Sequence, residues 1–159
     1  MKFWGYKRAD GRAGIRNHVL ILPTCACGSE SARIVASQVR GAVNIIFNSG
    51  CSDVQANTDM SQKVLTGFAC NPNVYGAVII GLGCETVPHQ KLREKIQSMT
   101  SKPIVSFGIQ DEGGTLKTIE NGEMIGEALV DIPKGGWVSH ENIFSVPRDY
   151  RDEYINRRE

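Results

Sequence analysis

Val78-Ile79-Ile80-Gly81-Leu82-Gly83-Cys84-Glu85 is an apolar run that stops at two glycines, a thiol and a carboxylate. A short continuous apolar run bounded by glycine fits a strand buried on both faces, as in a parallel sheet, although periodicity alone does not separate it from a buried helix. Gly81 and Gly83 let the backbone turn tightly, so Cys84 and Glu85 are expected just past the carboxyl end of that strand. In open α/β sheets that edge is where ligands bind.

The segments on either side repeat the pattern. Asn17 to Thr24 (NHVLILPT) reads as a first strand, followed by the loop Cys25-Ala26-Cys27-Gly28. Ser29 is placed to cap a helix whose apolar positions Ala32, Val35, Ala36 and Val39 share a face, with Gly41 at its end. Val43 to Phe47 is a second strand, running into Asn48-Ser49-Gly50-Cys51-Ser52-Asp53. Thr58 is read as the start of a second helix, with Met60, Val64, Leu65 and Phe68 facing the core and Asn71-Pro72-Asn73 as its stop. Tyr75 to Leu82 is the third strand. Thr86 and Pro88 then read as a cap and an early helical proline before Leu92, Ile96 and Met99. Pro103 to Phe107 is the fourth strand, and Leu116, Ile119, Ile125, Ala128 and Leu129 suggest a last helix, weakened or kinked near Gly122.

Four strands alternating with helices predict an α/β domain over residues 17–130, a three-layer, doubly wound parallel sheet of the flavodoxin/Rossmann type. The expected strand order is 2-1-3-4, which puts the topological switch between the first and third strands. Residues 1–16 read as a basic loop packed over the domain: Lys2, Lys7, Arg8, Arg12 and Arg16 stand against Asp10 alone. Residues 131–159 change character and read as a linker or docking tail.

Composition limits the function. A chain of 159 residues, 41% hydrophobic and 22% charged, suits one globular domain. A net charge of +1 gives no general argument for nucleic acid. No run approaches membrane-spanning length and no apolar signal region opens the chain, so a cytoplasmic protein with no membrane partner is expected. Five cysteines in a reducing compartment are then thiols or metal ligands rather than a disulfide framework.

The chemistry-bearing residues are Cys25 or Cys27, Cys51 and Cys84, each just beyond the end of a predicted parallel strand. Neighbouring strands lie about 4.8 Å apart, so loops from adjacent ends can bring thiolates to one iron or zinc ion or to an iron–sulfur cluster. The plain alternative is that free cysteines pack as small hydrophobes. Glu85 is the best-placed general acid or base, with helix capping or support of a metal site as its rival role, and His89 is a base or ligand candidate against a surface residue. The guanidinium groups of Arg12 and Arg16 suit an anionic substrate, or else a solvated arm. Cys70, at a helix end, is expected to be filler. Gly113-Gly114-Thr115 could hold an anion at a helix start, though glycine there more often marks only a turn.

Gly5 to Asn17 (GYKRADGRAGIRN), the thiol after the first strand, Gly50-Cys51, Asn71-Pro72-Asn73, Gly81-Leu82-Gly83-Cys84-Glu85, and Gln110 with Gly113-Gly114-Thr115 follow one another in an order that resembles the altronate dehydratase and galactarate dehydratase family. The resemblance runs over roughly residues 5–122. It implies a lyase of sugar-acid metabolism that removes water from a hexonate or hexarate, with iron at the active site as mononuclear Fe2+ or as a cluster, or with another divalent metal. Related members eliminate sulfite from sulfolactate, and the resemblance extends to that reading. It implies Cys25 or Cys27, Cys51 and Cys84 as metal-site residues, and Arg12, Arg16 and Glu85 as active-site neighbours.

The chain also departs from the family pattern. Phe47 and Asn48 stand where a histidine usually precedes the Gly-Cys pair, Asn71 stands where a histidine precedes Pro-Asn, and Cys27 is an extra thiol. Family enzymes carry a second large region, so activity is expected to need that remainder or a partner subunit, with a homo-oligomer as a further option. The contrasting expectation is a non-catalytic flavodoxin-like module that binds a small acid or serves assembly.

Overall fold

The computed structural model describes residues 2–131 and 138–141. Eleven elements follow in chain order: β1 (Lys2–Lys7), β2 (Ala13–Gly14), β3 (His18–Pro23), α1 (Ala26–Gln38), β4 (Ala42–Asn44), α2 (Gln55–Cys70), β5 (Val74–Gly81), α3 (His89–Gln97), β6 (Ile104–Gly108), α4 (Thr115–Asp131) and β7 (Val138–Glu141). The central sheet has the order β4-β3-β5-β6 and every pair in it is parallel. That is the predicted order, with the switch between β3 and β5.

The three layers follow from the period-2 alternation of the strands. Val19 and Ile21 on β3 and Val78 and Ile80 on β5 pack with Ala32 and Val35 of α1, with Val39 at its C-cap, and with Leu129 of α4. Leu20 and Leu22, with Ala77 and Ile79, face the other way onto Leu65 and Ala69 of α2 and Leu92 and Ile96 of α3. Both faces of β3 and β5 are covered, which is why their sequences are apolar without interruption. Cys70 belongs to the second of these clusters.

Several local expectations are corrected. The opening segment is not a loop throughout: β1 pairs antiparallel with β2 and with β7, in a separate sheet of order β2-β1-β7. Its main partner lies more than a hundred residues away in sequence, so no local pattern announces it. The linker or docking-arm reading of the tail falls largely on residues 132–137 and 142–159, which lie outside the described residues.

Helix α2 starts at Gln55, not at Thr58, whose hydroxyl donates back to the carbonyl of Val54 at 3.2 Å. Its inward face is Leu65, Thr66, Ala69 and Cys70. Met60, Val64 and Phe68, expected inward, are exposed. Two rows spaced by four residues compete on this helix, and periodicity does not rank them; packing took the row with the smaller side chains. Met99 and Leu116 are likewise exposed.

At α1 the N-cap is Cys25, and Ser29 instead donates to the carbonyl of Phe47 at 2.9 Å while accepting from its amide at 3.1 Å. The N-cap of α3 is Pro88, not Thr86. Gly122 does not interrupt α4. A Cβ there would stand 2.8 Å from Cγ2 of Val35, and one at Gly126 3.0 Å from Cγ2 of Val39. These glycines let α1 and α4 approach closely. No helix among the described residues is long and apolar enough to cross a membrane.

Candidate functional site

The three thiol-bearing loops leave the carboxyl ends of β3, β4 and β5, and Gly50 joins them. The amide of Ala26 donates to the carbonyl of Ser49 at 2.9 Å, and the amide and hydroxyl of Thr86 both donate to the carbonyl of Gly50, at 2.8 and 3.1 Å. Gly50 has φ +100°, and a Cβ on it would stand 2.5 Å from the carbonyl oxygen of Thr24 and 2.8 Å from Cα of Cys25. Only glycine fits there. The residue after Cys51, Ser52, is a non-glycine in the left-handed region at φ +60°, an uncommon conformation for such a residue.

The loops thereby bring the four predicted thiols together. Cys25 is fully buried, whereas Cys27, Cys51 and Cys84 are exposed. Burial pushes the Cys25 thiol up to about 11, against the opposing hydrogen bond from Gly28, and Glu85 and the other thiols add to the rise. Cys51 is also raised, by burial and by Cys27, with Cys84 contributing and a hydrogen bond with Cys25 acting the other way. Cys51 is thus within electrostatic reach of Cys25, Cys27 and Cys84. Among the described residues, no group of three or more His, Cys, Asp or Glu side chains stands at ligand spacing. Thiols are the donors a thiophilic metal takes, but in this structure the side chains are not drawn into a ready-made cage.

Glu85 orders the β5–α3 loop. Its Oε2 accepts from the amides of Leu82 at 3.0 Å and of Gly83, and its Oε1 accepts from the hydroxyl of Thr24 and the amide of His89, both at 3.2 Å. Burial alone would raise this carboxyl, but the amides of Gly83, Leu82 and His89 hold it below the usual carboxylate range. A carboxylate with its lone pairs occupied is a poor proton acceptor. Of the two roles weighed for Glu85, the geometry supports the supporting one.

His89 is the opposite case. It is 4% exposed, and neither ring nitrogen has a hydrogen-bond partner. Its ring lies over Gly81 and Gly108, which face each other across β5 and β6. Oδ2 of Asp111 is 3.5 Å from Nε2. The buried, unpartnered imidazole stands at the carboxyl edge of the parallel sheet, the edge at which α/β sheets bind ligands.

Arg12 and Arg16 do not join this site. Arg16 precedes β3, and Nη2 of Arg12 donates to the carbonyl of Cys70 at 2.8 Å while its guanidinium pairs with Asp10 at 2.7 Å. Both lie at the amino edge of the sheet. The six residues of β3, at about 3.3 Å each, put them about 20 Å from the thiols. The expectation that they neighbour Glu85 and the cysteines is corrected; the chain connects them to the wrong end of β3.

Sequence reasoning missed Thr24 and Thr86 as ties between loops, and Asp111 beside His89. Asp111 sits three residues beyond the end of β6, in the same relation to its strand as the other site residues, and that position was the available signal.

Residues 5–132 match the model of the D-galactarate dehydratase/altronate hydrolase family, second domain. The chain is 35% identical over 111 residues to the (2R)-sulfolactate sulfo-lyase subunit beta of Chromohalobacter salexigens, covering 70% of this chain and 28% of that protein. It is 29% identical over 112 residues to the altronate dehydratase of Bacillus subtilis, covering 64% and 22%, and 30% identical over 101 residues to that of Escherichia coli, covering 57% and 20%. It thus spans between a fifth and three tenths of these relatives' length. No solved structure is significantly similar. With a parallel sheet whose carboxyl edge gathers the motif residues, and a match over residues 5–132, the chain belongs to the D-galactarate dehydratase/altronate hydrolase family as its second domain.

Proposed function

We propose that this domain forms one wall of the active site of a lyase that eliminates water from a hexonate or hexarate, the other wall coming from a further region or a partner subunit. The observation that carries the reading is the convergence of the Cys25, Cys27, Cys51 and Cys84 loops on Gly50 beside the buried, unpartnered ring of His89.

Such an elimination needs a base for the proton α to the carboxylate and a means of stabilising the departing oxygen. His89 serves as the base, since its nitrogens are withheld from other partners. Glu85, held by four donors, keeps the loop between Cys84 and His89 in place. Cys51, Cys84 and one of Cys25 and Cys27 would hold iron or another divalent metal, which supplies Lewis acidity to the leaving oxygen. The substrate carboxylate finds no basic group among Arg12 and Arg16, so its anchor belongs to the second wall.

A second reading is favoured by the 35% identity to a sulfo-lyase subunit. There the same base would act on a sulfolactate and the leaving group would be sulfite. Turnover assays of the assembled enzyme with both substrate classes separate the two.

The test of the site is metal content per chain after anaerobic preparation, with the visible spectrum. Near-stoichiometric iron or zinc that disappears in Cys51→Ser and Cys84→Ser, and persists in Arg12→Ala from the opposite edge, is expected. No metal under any loading condition, together with full turnover of the assembled Cys51→Ser and Cys84→Ser variants, would overturn it.

A further inference from the structure

We propose that Asp111 is a positioning residue for His89: facing Nε2, it fixes the imidazole tautomer so that the free lone pair stays on Nδ1. The inference rests on the reading of His89 as the base and goes on to say which nitrogen acts.

The ring sits in a socket. Gly81 and Gly108 are register partners on β5 and β6, and a Cβ on Gly81 would stand 2.8 Å from Cδ2 of His89, one on Gly108 3.0 Å from its Nε2. A side chain at either position would push the imidazole out. A Cβ on Gly108 would also stand 2.8 Å from Oδ2 of Asp111, so the same gap admits the carboxylate. The backbone amide of His89 is meanwhile held by Oε1 of Glu85 at 3.2 Å, which fixes where the ring starts from. Asp111 and Glu85 are the charged groups that the structure records against His89.

The chemistry then follows from donor and acceptor rules. A carboxylate accepts and does not donate, and a neutral imidazole carries one N–H and one lone pair. The nitrogen facing Asp111 is Nε2, at 3.5 Å. It must carry the hydrogen, which leaves Nδ1 as the basic atom, because the bond made by one ring nitrogen sets the state of the other. The separation exceeds a formed hydrogen bond, and such contacts tighten when substrate closes the site. Asp111 itself is exposed on the other side, so water reaches it without reaching the ring.

The measurement is a ring-nitrogen correlation spectrum of the 15N-labelled chain at alkaline pH, with His89→Gln identifying the His89 signals. The wild-type protein is expected to hold the Nε2–H form. Asp111→Ala is expected to increase the Nδ1–H fraction several-fold, and Asp111→Asn, which keeps a carbonyl acceptor, to restore the wild-type pattern. Amide spectra of the variants check that the fold is unchanged. A wild-type ring carrying hydrogen on Nδ1, or an Asp111→Ala spectrum identical to wild type, overturns the assignment. Failure of the base reading looks different: His89→Gln would leave turnover of the assembled enzyme intact while the tautomer result stood.

Discussion

The two edges of the central sheet handle their polar groups in opposite ways. At the amino edge, three cations close the end of α2: Arg8 donates to the carbonyl of Pro72 at 2.7 Å, Arg12 to that of Cys70 at 2.8 Å, and Lys102 to those of Ala69, at 3.1 Å, and Asn71. Asn73 accepts from the amides of Ile15 and Arg16 through its side chain and from the amide of His18 through its carbonyl. Positive groups at a helix C-terminus are favourable and fully occupied in that role. Asn17 is an exception, a buried amide without a partner for which the structure offers no account. At the carboxyl edge the backbone is just as firmly tied, through Gly50, Thr86 and Glu85, yet three thiols face outward and an imidazole is buried without a bond. Arg12, a cation that looks functional in the sequence, is used for architecture at the amino edge.

The comparison breaks first at Gly50. Gly50→Ala adds a side chain at a positive φ against Thr24 and Cys25 backbone, and the combined strain and overpacking should cost about 4 kcal/mol. Urea denaturation checks it, and a loss below 1 kcal/mol would show that the thiol loops do not depend on this junction. Glu85→Ala comes next. It leaves the amides of Leu82, Gly83 and His89 without their acceptor, at about 3 kcal/mol by the same measurement. An unchanged midpoint would return Glu85 to the list of proton-transfer candidates.

The smallest effect sharpens the other edge. Burial, and then the charges of Arg8 and Arg12, push Lys102 down from 10.5 to about 8. Below that value both folded and unfolded chains hold the proton. Between about 8 and 10.5 the unfolded chain holds it longer, so folding stability rises with pH across this window. The neutral amine still donates to both carbonyls. Lys102→Met should abolish this rise, seen as a stability difference from wild type that grows from neutral pH to above the window. A difference that stays constant would mean that Lys102 is as well solvated as in the unfolded chain.

Much of the fold was legible because the two inner strands of the central sheet, β3 and β5, are buried on both faces. Runs such as Leu20-Ile21-Leu22 and Val78-Ile79-Ile80 admit few other readings, and the glycine and thiol loops after them mark the carboxyl edge. Helix faces were less legible. On α2 both Leu65-Ala69 and Met60-Val64-Phe68 satisfy a helical period, and only the space beneath the sheet distinguishes them. Of the candidate site, the four cysteines were readable by position alone, each following a strand. Asp111 shares that position after a strand, but its approach to the buried His89 ring shows only in the fold.

The sequence by itself determined the alternation of strand and helix, the strand order, the thiols at the strand ends and the family, since these rest on local pattern and motif order. Tertiary structure alone decided that Arg12 and Arg16 face away from the thiols, that Glu85 is saturated with donors, and that His89 is not. Those outcomes depend on which distant amides and carbonyls meet each side chain. A residue type states what a group can bond to; only the fold states whether that capacity is already used.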